Sequence, residues 1–299
     1  MSAIACPVGT ARIAVATWNQ GPGTIMTSAT PRNSAVAVLI LTALSLAGCG
    51  NRSQETAMTA SAKITAAQMQ AVAARQIVFG HRSVGANILD GLRLVAAQTA
   101  VELPITESRD GSAGPGITHF GVGRNGDPLG KIADFAQVVA AGGDAEFALL
   151  KLCYIDFPAR VDPVQVAQAY CDTLDSLAGR FPRTTFVAVT APLTAVQSGP
   201  KALVKKALGR VPSGYVENAR RQQFNEILRR HFGPDRRLFD LAAIEAEGSP
   251  SCRYENRDVE CLNPALTTDG GHLNRQGSEL VAVRLVQFLA AAPVRGADR

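Results

Sequence analysis

Two short stretches hold side chains whose types and spacing could do acid–base and nucleophilic chemistry. The first is Thr268-Asp269-Gly270-Gly271-His272-Leu273-Asn274, with Asp269 and His272 three residues apart in a glycine-containing turn. At that spacing a carboxylate can accept the Nδ1 proton of the imidazole, fixing its tautomer and stabilising the imidazolium. Nε2 is then free to act as a general base. The same pair could instead cap a turn and fill a surface cleft. The second stretch is Phe79-Gly80-His81-Arg82-Ser83-Val84-Gly85, where an apolar run meets a helical pattern. A serine at a helix N-terminus faces free N–H groups and the positive end of the dipole, which suits an alkoxide-like nucleophile and an oxyanion. Ser83 could equally be an ordinary helix N-cap.

Both stretches need a scaffold that brings them together, and the chain alternates strand and helix patterns. A helical segment is predicted over 65–74, then a buried strand at Gln76-Ile77-Val78-Phe79 ending at Gly80, then a helix over 84–97. Further strands are predicted at 147–152, 185–190 and 238–241, and helices at 164–177, 219–232 and 276–290. This alternation implies a parallel sheet covered by helices on both faces. Two glycine- or proline-bearing stretches, 109–127 and 197–215, interrupt the pattern and are expected to be long binding loops or lids.

With the first strand and the last loop as neighbours in such a sheet, Ser83 and His272 could meet, and here the sequence resembles the SGNH/GDSL hydrolase family, as a divergent branch. The catalytic serine of that family follows the first strand, as Ser83 does, and its Asp-x-x-His precedes the last helix, as Asp269 and His272 do. The segments Arg220–Arg230 and Leu238–Ala246 also resemble its penultimate elements. The resemblance implies a three-layer α/β/α sandwich and ester hydrolysis or acyl transfer through an acyl-serine intermediate. It also implies oxyanion donors: the Ser83 amide and that of Gly126, with Gly123 as the alternative and Asn125 beside it. The family's Gly-Asp-Ser is replaced here by Gly80-His81-Arg82-Ser83. Its Gly-x-Asn-Asp falls at Cys153-Tyr154-Ile155-Asp156, where the asparagine amide is missing. One missing oxyanion donor costs on the order of a hundredfold in rate, so Asn125 or the Tyr154 hydroxyl is expected to substitute. Asp156 and His81 are further candidates for the substrate site, His81 alternatively filling a buried turn. A non-catalytic ligand-binding protein on the same fold is the rival reading.

Residues 1–49 read as an export signal. Arg32 precedes an apolar run from Ala35 to Ala47, shorter than the roughly 20 residues of a membrane span. Leu46-Ala47-Gly48-Cys49 resembles a lipobox, in which the Cys49 thiol is acylated; Met26 is an alternative start. An ordinary cleaved signal or membrane anchor is the competing reading. The expected organisation is a signal over 1–49, a tether over 50–64, one domain over 65–292 and a tail over 293–299. An exported, lipid-anchored protein facing the periplasm or cell surface follows. The formal charge of +5 becomes +3 without the first 48 residues, since 30 Lys+Arg less Arg12 and Arg32 leaves 28 against 25 Asp+Glu. That mild excess argues against nucleic acid, and the Lys and Arg between Lys201 and Arg210, with the arginines at 220–221, 229–230 and 236–237, are expected to form solvated helix faces and not a phosphate track. Cys252 and Cys261 flank a polar loop and are expected to form a disulfide, with Cys153 and Cys171 as buried thiols. No histidine pair or Cys-x-x-Cys has metal spacing, so no metal and no cofactor are expected. The expected partners are a small-molecule or glycan ester and, through the lipid, a membrane.

Overall fold

The computed structural model describes residues 63–143 and 145–293; Cys49, Met26, the signal segment and most of the tether lie outside them. The elements run α1 (Ala66–Ala73), β1 (Gln76–His81), α2 (Val84–Thr99), β2 (Ile105–Glu107), β3 (Gly116–Gly121), α3 (Pro128–Gly142) and β4 (Phe147–Lys151). After a 3₁₀ turn at Tyr154–Asp156 come α4 (Pro163–Arg180), β5 (Thr185–Val189), α5 (Gly199–Ala207), α6 (Tyr215–Phe232), β6 (Leu238–Phe239) and α7 (Leu241–Ala246). A hairpin of β7 (Cys252–Tyr254) and β8 (Arg257–Val259) and a 3₁₀ turn at Pro264–Leu266 lead to α8 (Arg275–Ala291).

Strands β1 to β6 form one parallel sheet in the order β2-β3-β1-β4-β5-β6. Alternate strand residues point to opposite faces, so a fully buried sheet needs apolar residues at every position. Phe147, Leu149, Val187 and Val189 pack with Ile77 and Phe79 against α1, α2, α7 and α8. Ala148, Leu150, Phe186 and Ala188 pack with Val78 and Phe120 against α3, α4 and α6. The result is a three-layer α/β/α sandwich. Among the described residues, one core lies on each face of the sheet.

The interrupting stretches hold more structure than their composition suggests. Residues 109–127 were expected to be loop, yet Gly116–Gly121 is strand β3, sandwiched between β2 and β1. Its pairing with β1 supplies what glycine-rich local propensity does not. The 197–215 insertion carries helix α5. The polar stretch between Cys252 and Cys261 is the β7–β8 hairpin, and the expected disulfide is not formed: both residues are buried free thiols. Ladder pairing of Cys252 with Val259 already closes this loop. Burial, reinforced by the neighbouring Cys252 thiol, raises the Cys261 thiol far above its ordinary value.

Helices α2 and α8 cross at Gly91, where an added Cβ would fall 2.0 Å from the Ser278 carbonyl oxygen. Ser83 precedes α2 and His272 precedes α8, so this crossing sets how the two chain segments meet. Gly91→Ala is expected to cost about 1–3 kcal/mol through overpacking, read as a lower urea midpoint.

Candidate active site

The site lies at the carboxyl ends of the parallel strands, where α/β sheets build their crevices. Ser83 joins β1 to α2 with φ 54° and ψ −117°, a left-handed conformation that a non-glycine residue rarely adopts. Such a strained strand-to-helix turn costs on the order of 1–3 kcal/mol and aims the side chain out of the sheet. The serine makes no side-chain cap bond to the helix. Its Oγ lies 2.7 Å from His272 Nε2 instead.

His272 is held by a turn built around one carboxylate. Asp269 Oδ2 lies 2.7 Å from His272 Nδ1, while Oδ1 accepts the amides of Gly271 (2.9 Å) and His272 (2.7 Å). The Thr267 hydroxyl donates to the His272 carbonyl at 2.6 Å. The backbone donors and the imidazole hold the Asp269 carboxyl well below the usual carboxylate range. Asp269 therefore stays ionised and directs the Nδ1 tautomer. Capping of the last helix falls to Asn274, which accepts from the Gly277 amide. Ser83, His272 and Asp269 thus form one hydrogen-bonded chain.

Tyr154 meets the His272 ring edge-on with centroids 5.7 Å apart, and its hydroxyl lies near Ser83. Burial, and next the nearby Asp269 charge, raise that hydroxyl's pKa, so it is a neutral donor. Beside Tyr154 a cleft of about 500 Å³ opens between Phe157, Pro158, Thr194, Ala195, Ser213 and Arg221.

Two residues expected to touch substrate are structural. Asp156 is wholly buried and bonded to Lys131 Nζ at 2.8 and 2.9 Å, both side chains shielded from water. It also accepts the amides of Cys153 (2.7 Å) and Gly126 (2.8 Å). That bond corrects the expectation for Gly126, whose N–H is spent on a carboxylate. The alternative, Gly123, gives its amide to Asp134 at 2.8 Å. Asn125 remains: Lys131 Nζ donates to its Oδ1 at 2.8 Å, which leaves the Nδ2 hydrogens of this exposed side chain unspent. Among the described residues no group accepts from the Ser83 amide.

His81 is 6% exposed, stacked on Phe79, and its ring fills the space that a Cβ on Gly85 would occupy. It braces the turn from beneath. Burial, then the Lys151 and His119 charges and Arg82, lower its pKa to about 3, so it is neutral. Its Nε2 meets His119 Nδ1 at 3.2 Å. His231 lies on the surface with Asp175.

Arg221, expected on a solvated face, is buried and donates to the Tyr154 carbonyl (2.9 Å) and the Thr194 hydroxyl (2.6 Å), making it the cleft's floor. Its signal was helical spacing: Asn218, Arg221 and Asn225 share the buried face of α6 with Phe224 and Leu228. Lys131 gave a similar sign, lying one residue from Ile132 on the apolar face of α3. Among the described residues no group of three or more His, Cys, Asp or Glu gathers as a metal site.

No protein-family model matches the chain, and no curated protein does. Among solved structures it is similar to a lipolytic G-D-S-L family member from Veillonella parvula, with 12% identity over 72% of this chain and 98% of that one (TM-score 0.44). It is also similar to a Clostridium thermocellum family 3 carbohydrate esterase (12% identity, 72% and 99% covered, TM-score 0.39). A third is the periplasmic domain of a lipopolysaccharide acetyltransferase from Salmonella ser. Paratyphi A (13% identity, 74% and 87% covered, TM-score 0.40).

Two outcomes are expected. Asp156→Ala leaves Lys131 buried without its partner and costs about 3–5 kcal/mol, seen as a large drop in melting temperature. For His81, the unfolded chain takes up a proton below pH 6.5 that the folded one refuses until about 3. Its contribution is therefore intact above pH 6.5 and stability falls as the pH drops from there toward 3, by up to about 1.4 kcal/mol per pH unit. Urea midpoints across that window should fall less steeply in His81→Phe than in the wild type; parallel slopes would contradict the assignment.

Proposed function

We propose that this protein is an extracytoplasmic serine hydrolase that cleaves or transfers short acyl esters, with O-acetylated carbohydrate as the candidate substrate class. The observation that carries the reading is the Ser83–His272–Asp269 chain, with both hydrogen bonds at 2.7 Å. Ser83 Oγ attacks the acyl carbonyl while its proton passes to His272 Nε2, and Asp269 stabilises the resulting imidazolium through Nδ1. The oxyanion is stabilised by the Ser83 amide at the start of α2, with the Tyr154 hydroxyl and the Asn125 carboxamide as the further donors in reach of that end of the sheet. Collapse expels the alcohol, which takes the proton back from His272. Water, or an acceptor hydroxyl, then repeats the sequence on the acyl-serine and frees the enzyme. The open cleft suits a carrier with hydroxyl groups: Thr194, Ser213 and Glu217 line it among small and aromatic side chains.

Engagement of the Gly123 and Gly126 amides by carboxylates favours one rival, a domain that binds an ester without turning it over. Labelling with a fluorophosphonate and mapping the modified peptide separates the two. The expected label sits on Ser83 and disappears in His272→Ala; a folded domain that binds acetylated glycan yet stays unlabelled would establish the rival. In a substrate assay, Ser83→Ala is expected to lower kcat by about 10⁶ and Asp269→Asn by about 10⁴, with melting temperatures near that of the wild type.

A further inference from the structure

Helix α5 and the turn after it form a surface that neither core nor catalytic chain uses. Among the described residues seven large apolar side chains are exposed, and four of them lie within 203–211. Leu203, Val204, Leu208 and Val211 are 67%, 59%, 66% and 48% exposed. Pro200, Leu203, Val204, Ala207 and Leu208 recur at the i, i+3, i+4, i+7, i+8 spacing of a single helix face. The opposite side holds α5 to the body: Ala202 is buried and Lys205 Nζ donates to the Ser213 hydroxyl at 2.9 Å. The apolar stripe therefore points away from the molecule. Lys201 and Lys206 flank it on either side, Arg210 follows, and no acid occurs from Gly199 to Val216.

We infer that α5 is an interfacial docking element for a bilayer carrying anionic lipid. An apolar stripe turned to water is costly in a helix facing only solvent. Between flanking lysines it matches a headgroup boundary, where apolar groups enter the acyl region and the long cationic side chains reach back to the phosphates. The charge argues for a lipid surface over a second copy of the chain, since two such faces would bring like charges together. Docking has a consequence for the cleft. Ser213 and Gly214, which close the insertion, line it, and Ala195 donates to Gly270 in the histidine turn. The membrane would lie along the rim of the cleft, so esters borne at that surface are the ones presented to it. The docking itself is independent of the catalytic reading.

The test uses the chain from Asn51 onward, which lacks Cys49 and so any acyl anchor, and sucrose-loaded vesicles. The domain is expected to sediment with vesicles of equal parts phosphatidylcholine and phosphatidylglycerol and to stay in solution with phosphatidylcholine alone. Leu203→Ser with Leu208→Ser, and separately Lys201→Glu with Lys206→Glu, should each weaken anionic binding at least about tenfold with unchanged melting temperature and fluorophosphonate labelling. Binding that is absent in the wild type, or that stays at the wild-type level in both double variants, overturns the inference. A concentration-dependent dimer that Leu208→Ser abolishes, without vesicle binding, would assign the face to a second copy instead.

Discussion

Lys131 and Asp156 meet where no water reaches, and much of the site hangs on that contact. An ammonium and a carboxylate taken out of water each incur a desolvation cost that only close pairing and further hydrogen bonds offset. Here those further bonds reach two segments: the Cys153 amide after β4, and the Gly126 amide with the neighbouring Asn125 Oδ1 in the loop after β3. Two loops that would otherwise move independently are thereby locked to α3. The pair also decides which donors are left over, since it spends the Gly126 amide and frees the Asn125 Nδ2 hydrogens.

The catalytic chain depends on a second kind of constraint, backbone that sits where local preference would not put it. Ser83 has a positive φ because the surroundings hold it there. His81 wedges under the turn against Gly85, and α2 is seated on α8 through the close approach at Gly91. A serine in relaxed N-cap geometry would spend its hydroxyl on the helix amides. In the strained turn the hydroxyl turns to His272, and the Ser83 amide is left unspent for an oxyanion.

Charge is distributed by role. Ionisable groups inside the domain are paired with an opposite charge, as Lys131 with Asp156, neutral, as His81, or surrounded by neutral acceptors, as Arg221 by Asn218, Thr194 and the Tyr154 carbonyl. Burial likewise raises Glu245 to about 8. Cations with no acid beside them collect instead on α5, next to apolar side chains, where water and a lipid surface are the available neighbours. The interior arrangement fixes shape, and the exterior one leaves an attraction unsatisfied.

The sequence by itself determined the layered α/β architecture, because fully buried strands such as 147–151 and 185–189 need unbroken apolar runs and amphipathic helices such as α4 and α6 carry a visible period. It also singled out Ser83, Asp269 and His272, since an Asp-x-x-His turn and a serine after a first strand are local patterns. Tertiary structure alone decided which hydroxyl the imidazole meets, for Ser83 and His272 are 189 residues apart. It made Gly116–Gly121 an inner strand through pairing that no local propensity encodes, and left Cys252 and Cys261 as free thiols on either side of a hairpin turn. It assigned Asp156, Gly126 and Arg221 to the framework, because a hydrogen bond already made inside the protein is a donor or charge no longer offered to substrate.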